Sequence, residues 1–263
     1  MNFPASKALA ALALGTLPLL ASAQLTGNVA LTTNYKFRGQ DQDVIGSNGK
    51  ARTRAIKPAV QGGFDYAFGD TGWYVGNWNS SVNWLPGNSI ETDLYGGYKF
   101  KAGVFDLDLG ALTYVYPGNA NGNTTELYGA AGWSDEAVGA FVLKYAHTVS
   151  KDYFNYAGAH TGSGLSGRNT GYLNLAYSKE IAPKLTLKAA VGYTRMASDI
   201  RSLGYDSYVD YSVGAAYDLG NGLALTGSVQ GANKKSAYLL ANGAGQSWSP
   251  NTTRLVVMLS KTL

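Results

Sequence analysis

Residues 255–263 read LVVMLSKTL. Leu255, Val257, Leu259 and Leu263 share one parity, while Arg254, Ser260 and Thr262 share the other. This is the period-two alternation of a strand with one apolar and one polar face. If the apolar face meets lipid, every backbone N–H and C=O must be paired within the protein, and strands achieve that only by closing an antiparallel sheet on itself. The stretch reads as the closing strand of a transmembrane barrel.

The start of the chain carries a compartment signal. A weakly cationic beginning (1–7), an apolar run (8–20) and the small-residue sequence ASA (21–23) form a secretory signal peptide. The expected organisation is a signal peptide at 1–23 and a single barrel domain at 24–263. The apolar run is too short to span a bilayer as a helix, and no later stretch approaches the required length, which excludes a helical membrane protein. The chain has no Cys, so neither a disulfide framework nor a thiolate metal site is available, and no cofactor is expected. Loss of Lys7 with the leader leaves 20 Lys and Arg against 17 Asp and Glu. No dense basic run accompanies that small excess, so no nucleic-acid partner is expected. The 34 Gly and 19 Tyr suit a barrel, where small residues ease curvature and aromatic residues sit at the membrane interfaces.

Twelve alternating segments follow the leader and predict an all-β, up-and-down antiparallel barrel. The first runs over about 25–38 and the second over about 51–68. The third covers 73–84, with Tyr74, Trp78, Val82 and Trp84 outward and Asn77, Asn79, Ser81 and Asn83 inward. Connections after odd-numbered segments tend to be longer loops, such as 39–50 and 149–169. Those after even-numbered segments are short turns, such as 69–72 and 182–184. That two-sided asymmetry belongs to outer-membrane barrels. Outward aromatic residues sort into two predicted girdles. Phe68, Tyr74, Phe100, Phe105, Trp133, Tyr177 and Tyr217 lie beside the turns, and Tyr35, Phe37, Trp84, Tyr145 and Tyr193 beside the loops.

Several stretches resemble the TorF-like porins of proteobacteria: NYKFRG at 34–39, KPAVQGGFDY at 57–66, GWYVGNWNS at 72–80 and ETDLYGGY at 91–98. ELY at 126–128 and KDYF at 151–154 fit as well. The resemblance covers nearly the whole chain after the leader. It implies an outer-membrane barrel with porin activity and no catalytic set. The closing strand resembles the terminal signal of outer-membrane proteins, although Leu263 stands where most of them carry an aromatic residue.

The candidates for function are the charged residues on the inward parity. Glu91, Asp93, Asp106, Asp108, Glu126 and Asp210 face Lys36, Lys57, Lys144, Lys188 and Arg254 across one lumen. These residues either line a water-filled channel whose charges set selectivity or lock into a salt-bridged plug that conducts little. Gly110, Ala176, Gly192 and Gly214 leave room in such a lumen, whereas Tyr95, Tyr114, Tyr128 and Tyr208 take it away. The expected role is passive diffusion of small polar solutes or ions, and the alternative is a non-conducting structural or surface-binding barrel. His147, Ser150 and Asp152 have the residue types of a hydrolase triad but read as rim and loop residues, and no enzyme is expected. Arg52 and Arg54 share the outer parity near the loop rim and suit either lipopolysaccharide phosphates or a solvated edge. The expected setting is the outer membrane of a Gram-negative bacterium, with lipid, lipopolysaccharide and, during biogenesis, the barrel-assembly machinery as partners. The sequence leaves the oligomeric state open.

Overall fold

The structure, a computed structural model, describes residues 25–45, 51, 54–241 and 247–263. The expected leader and Arg52 lie outside the described residues. Twelve antiparallel strands close into one barrel. They are β1 (Leu25–Thr32), β2 (Ala59–Ala67), β3 (Trp73–Ser81), β4 (Ile90–Ala102), β5 (Phe105–Val115) and β6 (Thr124–Asp135), followed by β7 (Gly139–Thr148), β8 (Gly171–Ala182), β9 (Leu185–Arg195), β10 (Tyr208–Gly220), β11 (Leu223–Ala232) and β12 (Arg254–Thr262). Each strand pairs with its neighbour in sequence, and β12 closes the ring by pairing with both β11 and β1. Short turns lie at one end and longer loops at the other.

The alternation that predicted the strands also sets their faces. Along β12, Leu255, Val257, Leu259 and the following Leu263 are exposed on the outer surface, while Val256 is buried inside. The same holds for Leu173 and Leu175 on β8, for Tyr211, Val213 and Tyr217 on β10 and for Ile90, Leu94 and Tyr98 on β4, where Glu91 and Asp93 point inward.

Three expectations are corrected. The first strand stops at Thr32, and Tyr35 and Lys36 are buried within the barrel. The second strand begins at Ala59, so Lys57 precedes it. The third strand has the opposite facing to that expected. Trp73 and Val75 are exposed outside at 59% and 47%, whereas Tyr74 is 7% exposed inside. In-register pairing of Ser80 with Gln61 and Glu91, and of Trp78 with Asp93, fixes that choice. The physical reason is that this lumen is itself partly aromatic. Tyr74 Oη finds Asp108 at 2.8 Å inside, and Trp78 packs edge-on against Tyr35 at 5.3 Å. Asn77 and Asn79, which face outward, are satisfied by their neighbours. Asn77 Oδ1 accepts from Phe64 N, and Asn79 bonds Gly62 O and Thr92 Oγ1.

The girdle beside the turns is therefore built with Trp73 in place of Tyr74, together with Phe68, Tyr98, Phe105 and Tyr217. Beside the loops, Tyr145, Tyr193 and Tyr211 are exposed, but Tyr35, Phe37 and Trp84 have turned inward.

The facing of β3 is testable because the chain lacks Cys. A fluorophore on Val75→Cys should be quenched by brominated acyl chains in reconstituted vesicles, and one on Ser80→Cys should not. The reverse pattern would restore the original assignment.

Candidate functional site

The chain leaves β1 and turns into the barrel as a small hairpin, in which Lys36 pairs with Asp41 and Phe37 with Gln40. Its two central residues, Arg38 and Gly39, have φ of 46° and 76°. Two successive positive-φ residues make the hairpin turn whose twist suits the flanking strands, and Gly is the residue that adopts this without strain. Gly39 is also held close to the far wall. A Cβ there would fall 2.6 Å from Gly231 O and 2.9 Å from Ala232 Cβ. Arg38, in a conformation unfavourable for a side-chain-bearing residue, is held by what it touches. Its guanidinium bonds both oxygens of Glu126 at 3.0 and 2.7 Å and Tyr153 Oη at 3.0 Å, and lies over the Tyr172 ring at 4.2 Å. The hairpin thus spans the lumen between β6 and β10–β11.

Asp41 anchors its base. One carboxylate oxygen lies 2.9 Å from Lys36 Nζ, and the other lies 3.2 Å from Lys57 Nζ and 3.3 Å from Arg254 Nε. Lys36 also donates to Pro250 O and Lys57 to Asp43 O. Trp248 lies against this cluster, its ring 4.0 Å from Lys57 Nζ and 5.6 Å from the Arg254 guanidinium. Burial pushes the Lys36 ammonium down to about 8 and Lys57 down as well, with Asp41 opposing the shift in both.

Around the hairpin the loops and walls pack an aromatic core. Tyr35, Tyr114, Tyr116, Tyr153, Phe154, Tyr208 and Tyr238 are all buried in it, with edge-on contacts such as Phe37 to Tyr114 at 5.4 Å and Tyr114 to Phe154 at 4.8 Å. Ring pairs of this geometry add to simple burial. The inward carboxylates are bonded into the core by phenols. Glu91 accepts from Tyr35 Oη at 2.7 Å and from Tyr116, and Asp210 accepts from Tyr172 Oη at 3.1 Å. Asp93 Oδ1 is buried without a hydrogen-bond partner.

The half of the lumen nearer the turns is built differently. On β2 to β7, Tyr74 bonds Asp108 and Tyr128, and Tyr95 bonds Asp65 at 2.7 Å. Lys99 lies over Tyr74 and Lys144 over Tyr128, at 4.7 and 3.9 Å from the ring centres. Asp106 sits at the turn rim, paired with Lys101 at 2.6 Å with both side chains more than half exposed. Lys188 is buried on the facing wall. Gly110 and Gly192 were expected to widen the lumen. They instead admit neighbouring rings, since a Cβ at Gly110 would fall 2.5 Å from Tyr128 and one at Gly192 2.3 Å from Tyr172 Oη.

The eleven charged candidates thus divide. Lys36, Lys57 and Arg254 gather on Asp41, while Glu91, Asp93, Glu126 and Asp210 face the hairpin and the core around it. Asp108, Lys144 and Lys188 lie on the walls, and Asp106 stands at the rim. Arg38 and Asp41, the two residues that tie the hairpin in place, were missed because positions 34–38 fit a strand and 39–50 a polar loop. The available signal was Gly39 after a polar residue, flanked by the complementary pair Lys36 and Asp41 at hairpin spacing. His147 bonds Tyr145 Oη and Asn169 Oδ1, each at 3.2 Å, on the outer face. Asp152 spends its carboxylate on the backbone N–H groups of Tyr153, Ala157 and Ala159. No triad is assembled from His147, Ser150 and Asp152.

The stretches that resembled the porin family converge on this hairpin and its core: 34–39 enters the hairpin, 91–98 and 126–128 supply Glu91 and Glu126, and 151–154 supplies Tyr153 and Phe154. A family model described as a bacterial protein of unknown function (Gcw_chp) matches residues 20–263. The chain belongs to the Gcw_chp family. No curated protein matches it in sequence. Among solved structures, the Gcw_chp chain is similar in fold to the KdgM porin, with TM-score 0.55 and 10% identity over 90% of this chain and 98% of that one. The NanC porin gives 0.56 at 12% identity, with the same coverage. An outer membrane channel from Pseudomonas putida F1 gives 0.52 at 11%, over 93% of this chain and 97% of that one. At these identities the likeness is one of fold, that of a porin-like, channel-type barrel.

Removing one partner of a buried ion pair leaves an uncompensated charge and costs about 3–5 kcal/mol. Asp41→Asn, which strands three cations, should lose stability of that order in urea unfolding of the reconstituted barrel. Lys101→Ala, at the exposed rim pair, should change it by less than about 1 kcal/mol.

Proposed function

We propose that the barrel is a narrow outer-membrane channel for passive diffusion of small polar solutes, with the hairpin at 36–41 as its constriction. The observation that carries this reading is the asymmetry of the lumen near the turns. The wall from β8 through β12 to β1 presents Ala176, Ala190, Gly214, Ala224, Ser260 and Ala30, with Lys188 and Met258 as the longer side chains and no ring among them. The opposite wall presents Tyr74, Tyr95 and Tyr128 with bonded charges. This arrangement supports a polar passage beside the small-residue wall, since twelve strands enclose more width than small side chains fill. The resemblance of the sequence motifs to TorF-like porins and the fold likeness to outer-membrane channels support the same reading, as does the leader read from the sequence.

A second reading rests on the aromatic core. A mouth packed with Tyr114, Tyr153, Phe154, Tyr208 and Tyr238 suits a non-conducting barrel that works through its loops.

Single-channel recording of the refolded mature chain in a planar bilayer separates the two. The channel reading expects steady conductance that rises several-fold when residues 35–42 are replaced by a short Gly–Ser link. Conductance from the shortened chain alone would make the hairpin a plug. No conductance from either folded protein would replace the channel by the surface-binding barrel.

A further inference from the structure

Most cations of the lumen have an electron-rich partner within the protein. Lys36, Lys57 and Arg254 share Asp41, Arg38 holds Glu126, and Lys99 and Lys144 lie over tyrosine rings. Lys188 differs. It is 6% exposed on β9 and makes no hydrogen bond, ion pair or ring contact with any described residue. Its in-register neighbours are Ser178 on β8 and Gly214 on β10, and the wall around it is the small-residue side of the lumen. One step along the same face of β10, across from Ala190, the Ser212 hydroxyl is also buried without a partner.

An ammonium taken out of bulk water without a counter-charge is costly. Here its stem is covered, but Nζ is not among the sealed, unpartnered atoms and so keeps contact with open space. An ammonium with open space before it and no partner within the protein fits an oxygen-bearing anion that can accept from it.

We propose that Lys188 forms an anion subsite in the lumen, and that the solutes favoured by this barrel are small oxyanions such as carboxylates and phosphates. The proposal deepens the channel reading by naming a substrate class. Asp65 and Asp108 on the opposite wall are taken up by Tyr95, and by Tyr74 with Lys99 and Lys144 nearby, so they leave Lys188 uncancelled. A single wide side of the lumen that carries one unpaired positive charge discriminates by charge without closing the passage.

The test is the reversal potential of the refolded mature chain under a potassium acetate gradient, compared with Lys188→Gln and Lys188→Arg. The wild type should prefer the anion. Lys188→Gln should lower the anion-over-cation permeability ratio about tenfold, the size of one charge-assisted hydrogen bond, and Lys188→Arg should keep it. A cation-preferring wild type, or a ratio unchanged in Lys188→Gln, overturns the proposal.

A second measurement does not depend on conduction. Raising inorganic phosphate from millimolar to 100 mM at constant ionic strength should raise the unfolding temperature of the wild type and of Lys188→Arg, but not that of Lys188→Gln. If no current flows but this shift is present, the channel reading fails and the anion subsite stands. If the shift is absent, the subsite is overturned. In the absence of phosphate Lys188→Gln should unfold at a higher temperature than the wild type, because it removes an unpaired buried charge, and a lower temperature would count against the proposal.

Discussion

Three cations from distant parts of the chain meet on the carboxylate of Asp41, and the outer half of the lumen depends on that meeting. Lys36 belongs to the hairpin, Lys57 to the approach to β2 and Arg254 to the start of the closing strand. A buried ion cluster of this kind adds little net stability, because desolvation offsets most of the attraction. What it contributes is position, for a hairpin withdrawn from this place would take Asp41 away from the buried Lys57 and Arg254. Arg38 acts in the same way at the hairpin tip, its fork matched to both oxygens of Glu126.

The aromatic core follows from the same constraint. A twelve-stranded ring is too wide for wall side chains alone to fill. Segments that would be free loops in a narrower barrel fold inward and bring rings with them. Phenols are suited to this place because a ring fills volume while its hydroxyl reaches a carboxylate. Tyr35 and Tyr116 on Glu91, and Tyr172 on Asp210, show this use. Nearer the turns no loop enters among the described residues, and the wall chemistry itself divides into an aromatic side and a small-residue side.

Much of the fold was legible because period-two alternation and the rhythm of loops and turns report directly on a closed sheet. The number of strands, the closing role of β12 and the facing of β4, β8 and β10 all follow from it. The facing of β3 was misread for a physical reason. The expectation that large apolar side chains face outward holds where the lumen is aqueous, and Tyr74 and Trp78 lie where it is packed with rings. Lys36 and Glu126 were read as inward from strand parity, and both are buried, Glu126 on its strand and Lys36 in a segment that has left the sheet. That they belong to separate clusters, one on Asp41 and one on Arg38, could not be read from strand periodicity, because both clusters are made by a segment that leaves the sheet. The positive-φ pair Arg38 and Gly39 marks that departure.

The central claim is that the hairpin tip is docked against β10 and β11 inside the lumen, and a covalent tether tests it most directly. An ideal Cβ on Gly39 lies 2.9 Å from Ala232 Cβ, and the chain has no other Cys to compete. The Gly39→Cys, Ala232→Cys double variant, refolded in vesicles under mild oxidation, should close a disulfide in a large share of molecules, once the hairpin tip retreats by about 1 Å to bring the two Cβ atoms to about 3.8 Å and to relieve the approach of the new Cβ to Gly231 O. Two thiols that stay separate, each open to a small maleimide entering through the lumen, would contradict the account.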